Sequence, residues 1–505
     1  MKQDNFYSGK EALEKLIGGI KKISNIVGST MGSGGSNAIL EALENPYTST
    51  TNDGYTIAKA IYLSDPVEQM GANILREAIG RANRQSGDGS STTCVLTAAI
   101  LEEGMKRIGD VSPMELKRSL EACIPIIEEA VKAQKKDITI DNVAPVASIS
   151  AEDEGIGNTI QEIYKQIGKD GIIQWDISKT PEDSYTLGSG ITINGATVVA
   201  PYMLENAREI RLRDPKILLI RRKITSGEDF TYLFYNLHQS GIKEAVVFCD
   251  EIENAAITSF SLTQGAGRFK TTVIKMPILW KDEWWEDLAL ATGGKIIDAN
   301  SGIKIQDIKE EHLGTVKNLT ITKEDTLLEG IKDLTDHIKS LQTEGDEKSL
   351  LRASRLNTKT ARYFVGGHSD QAIFYRRLKV EDAINAAHCA LESGVVPGGG
   401  VALLNAVRKL QDTVGGHILH KALAAPIRQI ALNAGIDLSL IDSSVGDRLG
   451  FDTRTGKLVD MFEAQIIDPT SVVINAIKSA IGVAATILTA NSVVLLPSQE
   501  TKNKV

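Results

Sequence analysis

The run Gly87-Asp88-Gly89-Ser90-Ser91-Thr92-Thr93 separates two stretches in which apolar residues recur at helical spacing. Before it, Val67, Met70, Ile74, Leu75, Ala78, Ile79 and Ala82 form one stripe; after it, Val95, Leu96, Ala99 and Ile100 form another. A glycine-rich turn that opens a helix has two readings. The first amides of a helix lack acceptors and carry partial positive charge, so they attract an anion such as phosphate, and glycines let the backbone approach it. Asp88 would repel phosphate directly but suits Mg2+, which takes oxygen ligands and bridges to phosphate. Alternatively, an Asp or Ser at this place is a plain helix cap. The turn is not a Walker A loop, because it has no Gly-Lys-Ser/Thr.

Working outward from this turn, Leu13, Leu16, Ile17, Ile20, Ile23 and Val27 predict a helix from about Lys10 to Val27. The side-chain-poor loop Gly28 to Asn37 follows, then a short strand Ala38-Ile39-Leu40, the β-prone Tyr47 to Thr51 and the turn signal Asn52-Asp53-Gly54. A further amphipathic helix is predicted from Pro113 to Lys135, so the first 135 residues read as mainly helical. From about residue 185 the texture changes. Strand-length apolar runs at 217–220, 244–249 and 272–275 alternate with candidate helices at 228–238 and 254–263, the pattern of an α/β domain. A charged, helix-favouring stretch covers Lys332 to Arg355, and past about residue 380 the chain is again helical and apolar. Two similar ends around a different middle suggest a discontinuous domain with another inserted into it.

The composition agrees with this size and class. A chain of 505 residues suggests about three domains. Hydrophobic residues make up 42% and aromatic ones 5%, so the cores must be largely aliphatic. A net charge of −9 argues against nucleic acid as the main partner; Arg221-Arg222-Lys223 reads as a solvated strand end. Cys94, Cys123, Cys249 and Cys389 sit apart among apolar residues without metal-site spacing, as small buried hydrophobes in a reducing compartment. The N-terminus has no apolar signal segment. Val472 to Leu496 is long and apolar, but Asn475, Lys478, Thr486, Thr489, Asn491 and Ser492 interrupt it, so it reads as a buried helix followed by a strand. A cytoplasmic protein with no membrane partner is the expectation.

Other segments are ambiguous one at a time. The Thr30 to Asn37 loop is a flexible turn or a backbone cradle. Gly394 to Ala402, with three glycines before a helix, serves close approach to a ligand or close helix packing. In Asp468-Pro469-Thr470, N-capping alone accounts for the aspartate. Asp53 and Asp382 read equally as surface charges, and His417 with His420 has no third metal ligand in view.

As an ordered set, Thr30-Met31-Gly32, Asn52-Asp53-Gly54, Met70-Gly71-Ala72, Gly87 to Thr92, Val380-Glu381-Asp382-Ala383, Gly394 to Ala402 and Asp468-Pro469-Thr470 resemble a group I (bacterial GroEL-type) chaperonin subunit over nearly the whole chain. The resemblance implies an α+β multidomain fold. Its parts would be a mainly helical equatorial domain from 1–135 and 394–505, an intermediate domain from 136–189 and 361–393, and an α/β apical domain from 190–360. It implies an ATPase that captures non-native polypeptides in a homo-oligomeric ring, seven subunits per ring, with a GroES-type cochaperonin. Thr30, Met31, Gly32 and Ser33 would lie along the ATP phosphates, with Asn52 beside them and K+ at Thr30. Asp88 would hold Mg2+, and Gly89, Ser90, Ser91 and Thr92 would wrap the phosphates. Gly399 would meet the nucleotide, Asp468 the ribose, and Asp452 and Thr453 the adenine. Asp382 would swing in to activate the attacking water, helped by Asp53. Val198, Val199, Tyr202, Met203, Phe230, Phe234, Ile257 and Leu262 fall at or near the family's client-binding positions, though Phe230, Leu233, Phe234 and Leu237 also share one helical face, as core residues do.

Departures from the family pattern fall mostly outside the carboxylates. Ser33-Gly34-Gly35-Ser36 replaces Pro-Lys-Gly-Arg and removes two basic groups near the phosphates; Asn52 replaces Lys and Asp452-Thr453 replaces Asn-Ala. A Gly-Gly hinge reads Asn357-Thr358-Lys359-Thr360, while Gly190 on the other strand survives. A small-molecule kinase or ligase would need an acceptor site with its own polar constellation. A scaffold without turnover would be expected to lose Asp53, Asp88 or Asp382, and a group II chaperonin would need a longer apical segment for its lid. A ring that holds clients with little or no encapsulation remains as the alternative.

Overall fold

The computed structural model describes residues 6–41, 48–199, 209–265, 269–277, 282–322, 325–344, 346, 349, 352–353, 356 and 358–495. It divides into two compact units. One comprises Met1–Lys169, Trp175–Ser184 and Tyr363–Val505; the other comprises Asp170–Gln174 and Tyr185–Arg362.

The first unit is built on long helices whose apolar stripes meet. In Gly9–Gly28 the predicted stripe, Leu13 to Val27, is buried throughout. This helix packs on Pro66–Ser86 and Ser90–Met105. The first crossing is so close that a Cβ on Gly19 would lie 2.0 Å from Glu68 O, and one on Gly71 would lie 2.1 Å from Leu16 O. At the centre lies Thr470–Leu488, apolar on nearly every side, as a helix surrounded by others must be. It is long and apolar enough to cross a membrane, yet most of it is buried against Pro66–Ser86, Ser90–Met105 and Pro113–Lys132. The resulting core joins both ends of the chain, from Ile20, Leu75 and Leu96 to Leu403, Leu419 and Ile481. Phe6–Ser8 pairs with Ser492–Val494 as an antiparallel ribbon, and Ala38–Leu40 pairs with Ser49–Thr51. Asp370–Ser393 lies across Ala144–Ala151, Glu154–Ile167 and the central helix. All four cysteines are buried and unpaired.

The second unit carries the expected alternation. Lys216–Ile224, Glu244–Ile252 and Lys270–Lys275 are parallel neighbours, Ile296–Ile297 extends the sheet, and Thr197–Val198 adds an antiparallel edge. Glu228–Gln239 and Asn254–Gly265 are the crossover helices. Strands covered on both faces read as continuous apolar runs. Ile217 and Leu219 accordingly enter one core, with Phe248 and Trp285, while Leu218 and Ile220 enter another, with Val247 and Phe260. An antiparallel set, Ile210–Arg213, Asn318–Ile321, Asp325–Glu329 and Gly190 to Asn194, completes the unit.

This packing corrects part of the client-binding expectation. Phe230 is 0% and Phe234 3% exposed; Phe230 meets Phe260 edge-on and Phe234 stacks on Phe269 inside the core, and Val198 is buried too. The shared helical face was the inward face. Val199 packs against the same core. Ile257 is partly exposed and Leu262 is 70% exposed, joined on the outer faces of the two crossover helices by Tyr232 and Tyr235. Tyr202 and Met203 lie outside the described residues.

Candidate functional site

The opening turn sits between two helix ends. Gly87 (φ 63°) closes Pro66–Ser86, with its amide donating to Asn83 O at 2.7 Å, and Gly89 (φ 86°) occupies the cap position of Ser90–Met105. Gly89 has no side chain with which to cap the latter helix. The amides of Ser90, Ser91 and Thr92 precede the first intrahelical bond here, Thr93 N to Gly89 O at 2.9 Å. The plain-cap reading therefore fails: Asp88 instead accepts from Gly89 N at 2.5 Å and Ser150 Oγ at 3.3 Å. Gly87 also allows a close approach, because a Cβ there would meet the Asn385 side chain at 2.2 Å.

The loop after the first helix is pinned in place. Asn433 Nδ2 donates to Gly28 O and Met31 O at 2.8 and 2.9 Å, Thr30 Oγ1 donates to Val27 O at 2.7 Å, and Ser33 Oγ meets Thr453 Oγ1 at 2.7 Å. A Cβ on Gly34 or Gly35 would strike backbone at 2.7 or 2.3 Å, so Ser33-Gly34-Gly35-Ser36 gives up cations and gains a closely packed backbone. Across from it, Val395–Pro397 pairs with Ile467–Pro469 and brings Gly399 to Asp468. Asp468 does not cap the following helix, whose cap position is Pro469. Its carboxylate accepts from Gly399 N, and burial, with Asp88 adding repulsion, pushes it up to about 7. Asp452 accepts from Arg454 N and Thr455 Oγ1, both at 2.9 Å, holding the hairpin that presents Thr453.

These pieces wall a single cavity of about 1050 Å3, which takes in 30–33, 52–54, 88–92, Asp382, Gly399, 452–453 and Asp468. Its far end is apolar, with Ile427, Ile430, Ile436, Phe451 and Met461, residues that sequence reading passes over because their spacing looks like ordinary core. The opposite end is acidic. Asp53 caps Gly54–Ala60, accepting from Tyr55 N at 3.3 Å and Thr56 N at 2.9 Å. Burial, together with Asp53, Asp88 and Glu381, holds Asp382 well above the usual carboxylate range, and Lys379 pulls the other way. Burial also raises Asp88, opposed by the bonds from Gly89 N and Ser150. Asp382 was expected to arrive by domain movement; here it already faces Asp53 and Asp88 within one compact unit.

Mutually repelling carboxylates with hard oxygen donors suit a divalent cation. Among the described residues no group of three His, Cys, Asp or Glu side chains is assembled to hold one. A cation here would need oxygens from a ligand or water, as Mg2+ with a polyphosphate has.

A model of the TCP-1/cpn60 chaperonin family matches residues 23–240 and 270–497. The chain belongs to that family. Two crystal structures of the chaperonin gp146 from bacteriophage EL 2 (Pseudomonas aeruginosa), both in the presence of ATP-BeFx, share its fold. Crystal form II superposes at a TM-score of 0.68 and form I at 0.65; each is 18% identical and the match covers 98% of this chain and 100% of that chain. The discontinuous helical unit with an inserted α/β unit is thus the α+β multidomain chaperonin architecture. Within it this chaperonin adds groups that sequence reading missed: Ser150 on Asp88, and Lys379 with Glu152 beside the acidic end. Lys379, three residues before Asp382, was the available signal, since that spacing sets both on one helical face.

Proposed function

We propose that this chaperonin binds Mg2+-ATP in the cavity and hydrolyses it to drive the capture and folding of non-native polypeptides in a homo-oligomeric ring. The observation that carries this reading is the convergence of Asp53, Asp88 and Asp382, from three separate elements, in one cavity with a helix N-terminus whose cap residue is glycine. The amides of Ser90, Ser91 and Thr92 and the Thr30 to Ser33 backbone take the phosphates, Asp468 and Gly399 the ribose, and the apolar end with Asp452 and Thr453 the base. Asp88 holds Mg2+, which neutralises charge developing on the phosphates. Asp382, with its elevated proton affinity, accepts a proton from the attacking water and Asp53 orients that water. A monovalent cation such as K+ belongs at Thr30. The presence of an ATP analogue in the gp146 crystals supports the nucleotide assignment.

The second unit holds clients through outward apolar side chains, Ile257 and Leu262 with Tyr232 and Tyr235, because non-directional contact suits partners with no shared sequence. A ring multiplies a weak patch by avidity. A seven-membered ring, a GroES-type cochaperonin and a cytoplasmic setting complete the proposal.

The test combines electron microscopy of the purified protein, with and without Mg2+-ATP, and steady-state turnover. Rings and turnover are expected. Asp382→Ala should keep ATP affinity within a few-fold and lower kcat by about 100-fold to 10,000-fold. Monomers in both conditions refute the ring, and unchanged turnover in the variant removes Asp382 from the chemistry.

A further inference from the structure

Two donors meet on one carboxylate oxygen at the edge of the acidic end. Asn52 Nδ2 donates to Glu152 Oε1 at 2.9 Å, and Lys379 Nζ donates to the same atom at 2.7 Å. Asn52 directly precedes Asp53, and Lys379 is one turn before Asp382 on the same face of Asp370–Ser393. Glu152 thus joins the two elements that deliver the two carboxylates proposed to handle water. Lys379 is 8% exposed, and among the described residues its ammonium has this one ion pair.

The backbone at Glu152 is unusual for such a residue. It ends Ala144–Ala151 in the left-handed region, at φ 57° and ψ 23°. Glycine or asparagine normally takes that position, because a larger side chain there is strained. A glutamate held in this conformation needs something to hold it, and its two donors do so. Among the described residues Asn52 Oδ1 is buried without a hydrogen-bond partner, and Asn52 lines the cavity.

We infer that Asn52, Glu152 and Lys379 form a clasp that fixes Asp382 at its working separation from Asp53, making all three positioning residues for hydrolysis. This rests on the ATPase reading above. Asp53 and Asp382 repel each other across the cavity. The clasp supplies an attraction between the same two elements, through groups one residue and three residues away. Nucleotide affinity, carried by 30–33, 88–92 and Gly399, does not depend on it.

The full-length protein is tested as Glu152→Gly, Asn52→Ala, Lys379→Met and their pairs, reading kcat for Mg2+-ATP, Kd for ATP by calorimetry, and Tm. Glu152→Gly relieves the left-handed strain but leaves the buried Lys379 without its ion pair, so Tm should change little or fall while the protein stays folded at the assay temperature. Its kcat should nevertheless fall by about 100-fold, the scale of an ångström-sized misplacement, with Kd within about three-fold. Adding Asn52→Ala or Lys379→Met to it should cost little more, because all three act as one unit. Lys379→Arg should keep most of the activity. Unchanged kcat in Glu152→Gly, or multiplicative losses in the pairs, overturns the clasp. So does a Lys379→Met loss that appears in Kd as much as in kcat, which would put Lys379 on the phosphates. A wild-type protein that binds ATP without turning it over overturns the ATPase reading itself, a result distinct from active wild type with additive variants.

Discussion

At the residue scale, Asp468 links the cavity to stability. It is a half-buried carboxyl on the cavity wall, pushed up to about 7. The folded state therefore keeps a proton that the unfolded state releases near pH 4, and the fold binds more protons between those values. Stability from this group is full below the unfolded value, declines as pH rises toward 7, and is level above it. In nucleotide-free protein, Asp468→Asn should gain roughly 2–4 kcal/mol over the wild type at pH 8 and almost nothing at pH 4. Asparagine can still accept from Gly399 N. Urea melts at the two pH values measure this, and equal gains at both would contradict it. Residue identity made Asp88 legible, because it sits between two glycines in a tight turn, where a carboxylate stands out from its neighbours; Asp53, which alone reads as a surface charge, was singled out only by the family resemblance. Glu152 was not legible, since a glutamate in an acidic run looks like solvated charge, and Lys379 left only its spacing from Asp382 as a trace until the chain brings the two together.

At the element scale, the site depends on how near the Asp370–Ser393 helix comes to the phosphate turn. Cys389 Sγ donates to Ser86 O at 3.4 Å, and Asn385 occupies the space where Gly87 would carry a side chain. Gly87→Ala meets both a positive φ and this contact. It should cost about 2–4 kcal/mol of stability and push the helix outward. The loss of kcat should exceed any loss of ATP affinity, and a variant with wild-type kcat would show that the helix has slack. Long elements were readable from periodicity: the predicted Lys10 to Val27 helix runs Gly9–Gly28, and Pro113 to Lys135 runs Pro113–Lys132. Gly54–Ala60 was not, because seven residues hold too few turns to show a period, and its Asn-Asp-Gly start reads as a loop. What joins the elements was equally hidden. The Asn433 bonds to Gly28 and Met31 span about 400 positions and leave no local mark.

At the scale of the whole molecule, the two units separate folding from capture in a way that substitutions can resolve. Phe234→Ser empties part of an aromatic core and should cost about 3–5 kcal/mol, lowering the melting temperature of the second unit. Leu262→Ser, on the outer face, should leave melting unchanged and weaken binding of an unfolded polypeptide in a light-scattering assay. Full capture by the Leu262 variant would move the client surface elsewhere. A helical stripe shows which residues share a face, but only the sheet behind it shows whether that face looks inward.

The core of the first unit joins helices from both ends of the chain, and that ordering matters while the protein is being made. The helices between Gly9 and Lys132 leave the ribosome with apolar faces that Thr470–Leu488 covers only after the inserted unit has been made. The inserted unit, complete by Arg362, can fold in the meantime. Until that helix is made, the nascent chain is therefore a partly folded protein with uncovered apolar helix faces, a state prone to aggregation.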